Sequence, residues 1–472
     1  MSASAQALRW PIARVAAALR EGAFTSEALT AAALDEARAQ QPRLNAFIEI
    51  RADQALAQAR ARDAEAARGQ WRGPLHGIPL AHKDCFEREG QPTTVGSRVL
   101  PAQPGRHTAS ALRRLDEAGA VDLGPLHLNE MVAGPTGQNP HFGDCGNSID
   151  PSRISGGSSS GSGSAVGAGL VFGSLGSDTG GSIRLPGSMN GLFALKPTYG
   201  RVSRDGCFPR AFSLDCVGPL ARSAPDCALL LQAVAGFDAR DPSSSPAAVA
   251  TYLRALDTGG AGTRLAVIDM PVDYDPQVQR AFDRFVGAAR ARYGAVPAVG
   301  FDLAAGCNAM GDVISKVEAA TLHGPWMRER PRQYSQAVYS RTEPGLHLPA
   351  TRYLEALNAR ATFLHEFLQG PMAAADILVC PTVPVPVPTR EEADMEAAGK
   401  VFGVVARLTA LTRPFSYLGL PVLTMPMGLD SHGMPLGVQL VGRPFGEARL
   451  LAVAHALAHE TGWRHPLEGE PA

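Results

Sequence analysis

Residues 154–186 read ISGGSSSGSGSAVGAGLVFGSLGSDTGGSIRLP, and this stretch constrains the chain more than any other. It carries three consecutive serines, two Gly-Gly steps and a closing Asp-Thr-Gly-Gly-Ser around an apolar middle. Glycine reaches backbone conformations closed to other residues and lets a second backbone or a ligand come close. Serine supplies a donor, an acceptor and, once activated, a nucleophile. A flexible linker can share that composition, but a linker has no use for the apolar run at 165–172. The pattern therefore reads as turn, buried helix or strand, turn: a site, not a tether.

The surrounding chain is built to bury such a site. Hydrophobic residues make up 45% and charged residues 19% of 472, ordinary for a globular protein with a large core. The net charge of −1 and the lack of any Lys/Arg-rich run give no electrostatic reason to expect nucleic acid. No run of 18 apolar residues exists, so no membrane span is expected. The N-terminal 24 residues read as an amphipathic helix, not as a signal peptide. Cys85, Cys145, Cys207, Cys216, Cys227, Cys307 and Cys380 are scattered without a Cys-x-x-Cys pair, which argues against a zinc site or a disulfide framework. A cytoplasmic, metal-free protein is the expectation.

Helical periodicity at 26–40 and 52–68 predicts an outer helical layer. At 77–84 the pattern changes to a short apolar stretch that ends in Lys83-Asp84, read as a buried strand delivering Lys83 at its C-terminal end. Further helices are expected at 110–118, 225–234, 353–368 and 446–459. Strands are expected near 120–123 and at 377–380, with a closing pair at 421–426 and 436–441, and 192–204 and 217–220 read as further short segments. Strands alternating with helices at these lengths favour an α/β sandwich around a mixed sheet. A single domain spans the chain, with 237–375 a variable, mostly helical insertion over the sheet.

Three readings of the Gly/Ser stretch compete. A dinucleotide fingerprint fails because Val166 stands where the third glycine belongs, and a P-loop fails for want of any lysine between Ile154 and Pro186. Gly157-Ser158-Ser159-Ser160-Gly161 matches a nucleophile elbow with Ser159 as nucleophile, yet an elbow needs a strand before it and 150–153 is turn-like. The third reading joins Gly156-Gly157-Ser158-Ser159, the run from Ser177 to Arg184 and the Lys83-Asp84 strand end. Together with Leu195–Ser203 and Gly437–Pro444, these motifs resemble the amidase signature family in order and spacing, over essentially the whole chain.

That resemblance implies an α/β/α sandwich with a large twisted mixed sheet flanked by helices, and hydrolysis of an amide by a Ser-Ser-Lys triad. Ser182 takes the place of the acylated nucleophile, Ser158 that of the bridging serine after a cis Gly157–Ser158 peptide, and Lys83 that of the terminal base. The backbone N–H groups of Thr179, Gly180, Gly181 and Ser182 would form the oxyanion hole, and Ala133 matches a position whose backbone faces the substrate. Physical chemistry agrees with these roles: a serine hydroxyl needs a positioned base, and lysine serves as one only when burial leaves it neutral. Asp178 and Arg184 are expected to form a structural ion pair. The chain departs from the family at Cys85, where Asn is frequent, and at Ser160-Gly161-Ser162-Gly163, where a Gly-Gly pair is common.

The expected activity is hydrolysis of a small-molecule carboxylic amide, with aryl amides and carbamates conceivable, through an acyl-enzyme on Ser182 and without metal or organic cofactor. A homodimer is compatible with that reading, and no nucleic acid or membrane partner is expected. The alternative is the glutaminase-type A subunit of a tRNA-dependent amidotransferase. A non-catalytic ligand-binding relative is a further rival, opposed by retention of all three triad residues.

Overall fold

The computed structural model describes residues 2–100, 103–397 and 399–467. Ten strands are present among them: β1 (Pro79–Lys83), β2 (Val121–Leu126), β3 (Gly173–Asp178), β4 (Phe193–Lys196), β5 (Cys216–Ala221), β6 (Leu265–Asp269), β7 (Ala298–Gly300), β8 (Ile377–Pro381), β9 (Val422–Leu429) and β10 (Pro435–Gly442). Eight of them form one sheet in the order β3-β5-β4-β9-β10-β8-β6-β7. Pairing is antiparallel from β3 to β8 and parallel across β8, β6 and β7, so the sheet is mixed.

Side chains on a strand alternate between the two faces of the sheet, and here both alternating sets are buried. Val438 and Leu440 join one hydrophobic core with Leu423, Met425 and Val379. Val441 joins a second with Val422, Leu378 and Cys380. A sheet buried on both faces must carry a layer on each. Helices Glu447–Glu460 and Pro276–Tyr293 pack against β9 and β10, and helix Ala224–Val234 packs against β5. Helix Ala304–Glu329 packs against Ala350–Gln369 and Arg413–Tyr417, whose side chains fill the second core. The architecture is the expected α/β/α sandwich.

Local chemistry marks the element ends. Helix Ser26–Leu44 starts where the Thr25 side chain accepts from the Ala28 N–H at 3.0 Å, and stops at Asn45 in the left-handed region at φ 46°. The β9–β10 hairpin turns on Asp430, whose carboxylate accepts from the amides of His432 and Met434 at 2.7 and 2.9 Å.

Three expectations need revision. The N-terminal segment is two helices, Ala3–Ala7 and Ile12–Arg20, because Pro11 separates them. The strand bearing Lys83 pairs in parallel with β2 in a separate two-stranded sheet rather than in the large one. It sits against β3, with the Phe172 amide donating to the Pro79 carbonyl at 3.1 Å and the Leu175 amide to His82 Nδ1 at 3.1 Å. Residues 237–375 are mostly helical, yet they also supply β6 and β7 and so extend the sheet edge instead of only lying over it.

Candidate active site

The Gly/Ser stretch folds as loop, helix, strand, loop. The helix begins inside the serine run, at Ser160–Gly167, earlier than the apolar pattern alone suggests. Small residues permit this because the helix is wholly buried: a Cβ on Gly161 would lie 2.4 Å from the His127 amide nitrogen. β3 follows at Gly173–Asp178, and the turn 179–183 leads into helix Arg184–Met189. Both serine-bearing turns therefore lie at ends of elements that pack on each other, and the Ser159 amide donates to the Ser182 carbonyl at 3.2 Å.

Lys83, at the end of β1, is buried with 1% exposure. Its Nζ donates to Ser158 Oγ at 2.7 Å and to Ser177 Oγ at 2.9 Å. The peptide between Gly157 and Ser158 is cis. Gly157 is the residue for this position because a Cβ would meet Asn129 Oδ1 at 2.0 Å. Burial drives the Lys83 pKa below its ordinary value, against the pull of Cys85, Cys207, Asp215 and Asp178. Cys85 is a small buried residue, with its Sγ 3.8 Å from both Ser177 Oγ and Cys207 Sγ.

The turn that carries Ser182 is held by Asp178. Its carboxylate accepts from the amides of Gly181 at 2.7 Å and Ile183 at 3.1 Å, and from Arg184 Nε and Nη2 at 3.0 Å each. Both side chains of this ion pair are 0% exposed. Burial alone would raise the Asp178 pKa, but Arg184 and Lys196 outweigh it and hold it at about 2. Arg184 also donates to the Thr412 carbonyl, Gln439 Oε1 and Ser416 Oγ, at 2.8, 3.3 and 2.6 Å. The Thr412 hydroxyl in turn donates to the Gly180 carbonyl at 2.6 Å. Gly181 adopts φ 134°, and a side chain there would meet Thr412 Oγ1 at 2.5 Å. Its N–H is already given to Asp178, which corrects the expectation that it serves the oxyanion hole.

Ser182, Thr179, Gly180 and Ala133 line one cavity, together with Val132, Arg210, Arg341 and Arg413. Ala133 arrives there after Met131 and Val132, which have φ of 49° and 52°. A β-branched residue in that region is an outlier, and such outliers gather at functional sites. The competing elbow fails: Ser159 is fully buried, with its hydroxyl turned to the Ser177 carbonyl at 3.3 Å, and no strand leads directly into it, the nearest before it being β2, which ends at Leu126. Sequence reasoning missed Ser177 as the second partner of Lys83, although it lies in the quoted motif, one residue before Asp178 at the end of β3. It also missed the three arginines, which come from separate segments and share no local pattern.

A large mixed sheet with a buried lysine–serine pair beneath a glycine-rich turn defines an α/β scaffold of the amidase kind. Residues 28–451 match the Amidase family model, and the chain belongs to that family. The A-type subunit of the glutamyl-tRNA(Gln) amidotransferase from Anaeromyxobacter sp. (strain K) is 36% identical, over 95% of each chain. Its Pseudomonas entomophila (strain L48) counterpart is 34% identical, over 96% of this chain and 97% of its own. Among solved structures, a chain from a vestigial protein complex tied to the origins of an s-triazine catabolic enzyme matches with TM-score 0.89 and 34% identity, covering 96% of this chain and 99% of that one. The native peptide amidase of Stenotrophomonas maltophilia matches with TM-score 0.81 and 30% identity, over 98% and 99%.

These relatives support the amidotransferase alternative better than the stand-alone amidase. They also overturn the expectation of no nucleic-acid partner, because the curated relatives are components of an enzyme named for its tRNA substrate. Among the described residues no helix is long and apolar enough to cross a membrane.

Proposed function

We propose that the chain hydrolyses a non-peptide amide through an acyl-enzyme on Ser182, as the ammonia-releasing component of a tRNA-dependent amidotransferase. The observation that carries the chemistry is the 2.7 Å contact from buried Lys83 Nζ to Ser158 Oγ, beside the turn that places Ser182 in the cavity. Neutral Lys83 takes the proton of Ser158, which takes that of Ser182 as Ser182 Oγ attacks the amide carbon. The amides of Thr179, Gly180 and Ser182 meet the oxyanion, since the Gly181 amide is engaged by Asp178. The C–N bond breaks as Ser158 returns a proton to the leaving nitrogen, and water then cleaves the acyl ester. Activity as one domain in the cytoplasm belongs to the same proposal. Support comes from Gly311, Ser315 and Arg341 of the 237–375 segment lining the cavity, and from seven free thiols.

One observation favours a second reading, hydrolysis without partners: Lys83, Ser158, Ser182 and the cavity lining all come from a single chain. The test is mass detection of acyl-Ser182, and of released ammonia, for the purified chain with glutamine and with a panel of amides, anilides and carbamates. Turnover that needs glutamine and added partner proteins supports the first reading. Turnover of simple amides by the chain alone supports the second. No acylation of Ser182 under either condition overturns both.

A further inference from the structure

Six of the seven cysteines are buried, and Cys207 alone is partly exposed. It lies on a cavity of about 220 Å³ that shares no lining residue with the one in front of Ser182. Phe212 and Arg240, each about half exposed, also line this second cavity, so it opens to solvent. Ser177 lines it as well, and Ser177 Oγ is the second acceptor of Lys83 Nζ, at 2.9 Å. The Cys207 sulfur is 3.8 Å from that of Cys85, which follows Lys83 by two residues. Two backbone bonds hold their segments side by side: the Phe208 amide donates to the Cys85 carbonyl at 2.7 Å, and the Glu87 amide to the Gly206 carbonyl at 2.8 Å. Cys85 Sγ in turn lies 3.8 Å from Ser177 Oγ. An unbroken line of contacts, Cys207 to Cys85 to Ser177 to Lys83, thus runs from a solvent-facing cavity to the catalytic base. Neither thiol takes part in acyl transfer.

We propose that Cys85 and Cys207 are a reversible redox site: a peroxide entering the second cavity joins them as a disulfide, and the link shifts the end of the strand that carries Lys83 and slows acylation of Ser182. The inference rests on Lys83 as the base and adds a control over it. One sulfur of the pair attacks a peroxide oxygen, the O–O bond breaks, and a sulfenic acid and water form. The other sulfur then attacks the first, the S–O bond breaks, and a second water leaves. The two thiols lose two protons and two electrons, and the peroxide is reduced to two waters. A disulfide bond is about 2.0 Å long, so the sulfurs must close from 3.8 Å. Shared between the two segments, that closure moves each sulfur by about 1 Å, and a misplacement of about 1 Å at a catalytic constellation can cost about 100-fold in rate. Lys83 has little freedom to absorb it, because its Nζ is fixed to both Ser158 and Ser177. In a reducing compartment a disulfide of this kind is transient and serves sensing, not folding.

Two measurements on the full chain test it. The reduced protein is treated with hydrogen peroxide, its free thiols are blocked, and its peptides are mapped by mass spectrometry. The rate of Ser182 acylation is followed before treatment, after it, and after dithiothreitol, with glutamine and with the amide panel. The map should show Cys85 joined to Cys207, and the rate should fall about 100-fold and return with dithiothreitol. Cys207→Ser and Cys85→Ser should each keep their own untreated rate in peroxide. Both thiols left free, a link that leaves the rate intact, or a rate loss that persists in Cys207→Ser would overturn the proposal. A reduced chain that acylates Ser182 with no amide, yet forms the link and loses it to dithiothreitol, would sink the hydrolase reading and leave the redox site standing.

Discussion

Arg184 and Arg341 are both arginines with buried guanidinium atoms near the same serine, and they are opposites. Arg184 makes five side-chain hydrogen bonds, two of them to the carboxylate of Asp178. A guanidinium has five N–H donors, so it is saturated by the protein. Arg341 has a buried Nη1 with no acceptor among the described residues, and two further guanidiniums are its neighbours. The first group is spent on holding the turn, and the second lines the cavity that Ser182 also lines. Saturation by hydrogen bonds, more than burial, is what separates the two.

The largest effect that can break this comparison lies in the saturated turn. Ser182→Ala should lower kcat on the order of 10⁶-fold, as loss of a nucleophile does, while Ser159→Ala keeps substantial turnover; the reverse ranking in a single-turnover assay would return the elbow reading. Next is Lys83→Ala, expected to cost about 10²–10⁴-fold. In the unmodified enzyme acylation should rise with pH as buried Lys83 loses its proton, and Lys83→Ala should lose that limb of the profile.

Stability draws the contrast more finely. Arg184→Met leaves the Asp178 carboxylate buried and unpaired, and denaturant unfolding should show a loss of about 3–5 kcal/mol. Arg413→Met removes only a partly exposed pair with Asp312 and should cost under about 1 kcal/mol. Equal losses would mean that the cavity arginines are scaffold after all. The contrast also has a pH signature. Asp178 at about 2 lies below its unfolded value of 3.8, so its contribution, about 2 kcal/mol, is fully present above pH 4 and is lost as the pH falls toward 2. Asp178→Asn should flatten the unfolding curve in that window.

Much of the site was legible in the sequence because its parts are local. Lys83 ends an apolar strand, Ser158 and Ser182 sit in glycine-rich turns, and Asp178 and Arg184 flank the second turn closely enough to be read as an ion pair. Many helices and strands followed from period and composition, including the closing β9–β10 hairpin, but helices Pro276–Tyr293 and Ala304–Glu329 did not. The misses have a common cause. Pro11 split a helix that periodicity alone would run through, β6 and β7 are short strands inside a helical region, and the Gly181 amide was promised to an oxyanion before its bond to Asp178 could be seen.

The sequence by itself determined which atoms could do chemistry, a lysine at a strand end and two serines in glycine-rich turns, and the alternation of short apolar strands with helices that calls for a sheet covered on both faces. The tertiary structure alone decided who meets whom. It set Lys83 of the small sheet against Ser158 and Ser177, gave the Gly181 amide to Asp178, and drew Arg210, Arg341 and Arg413 into one cavity from segments far apart in the chain. The reason is range. Turn geometry and amphipathic periodicity act over a few residues and can be read along the chain. Charge balance in a cavity depends on every group that packing brings within a few ångströms, whatever its position in sequence.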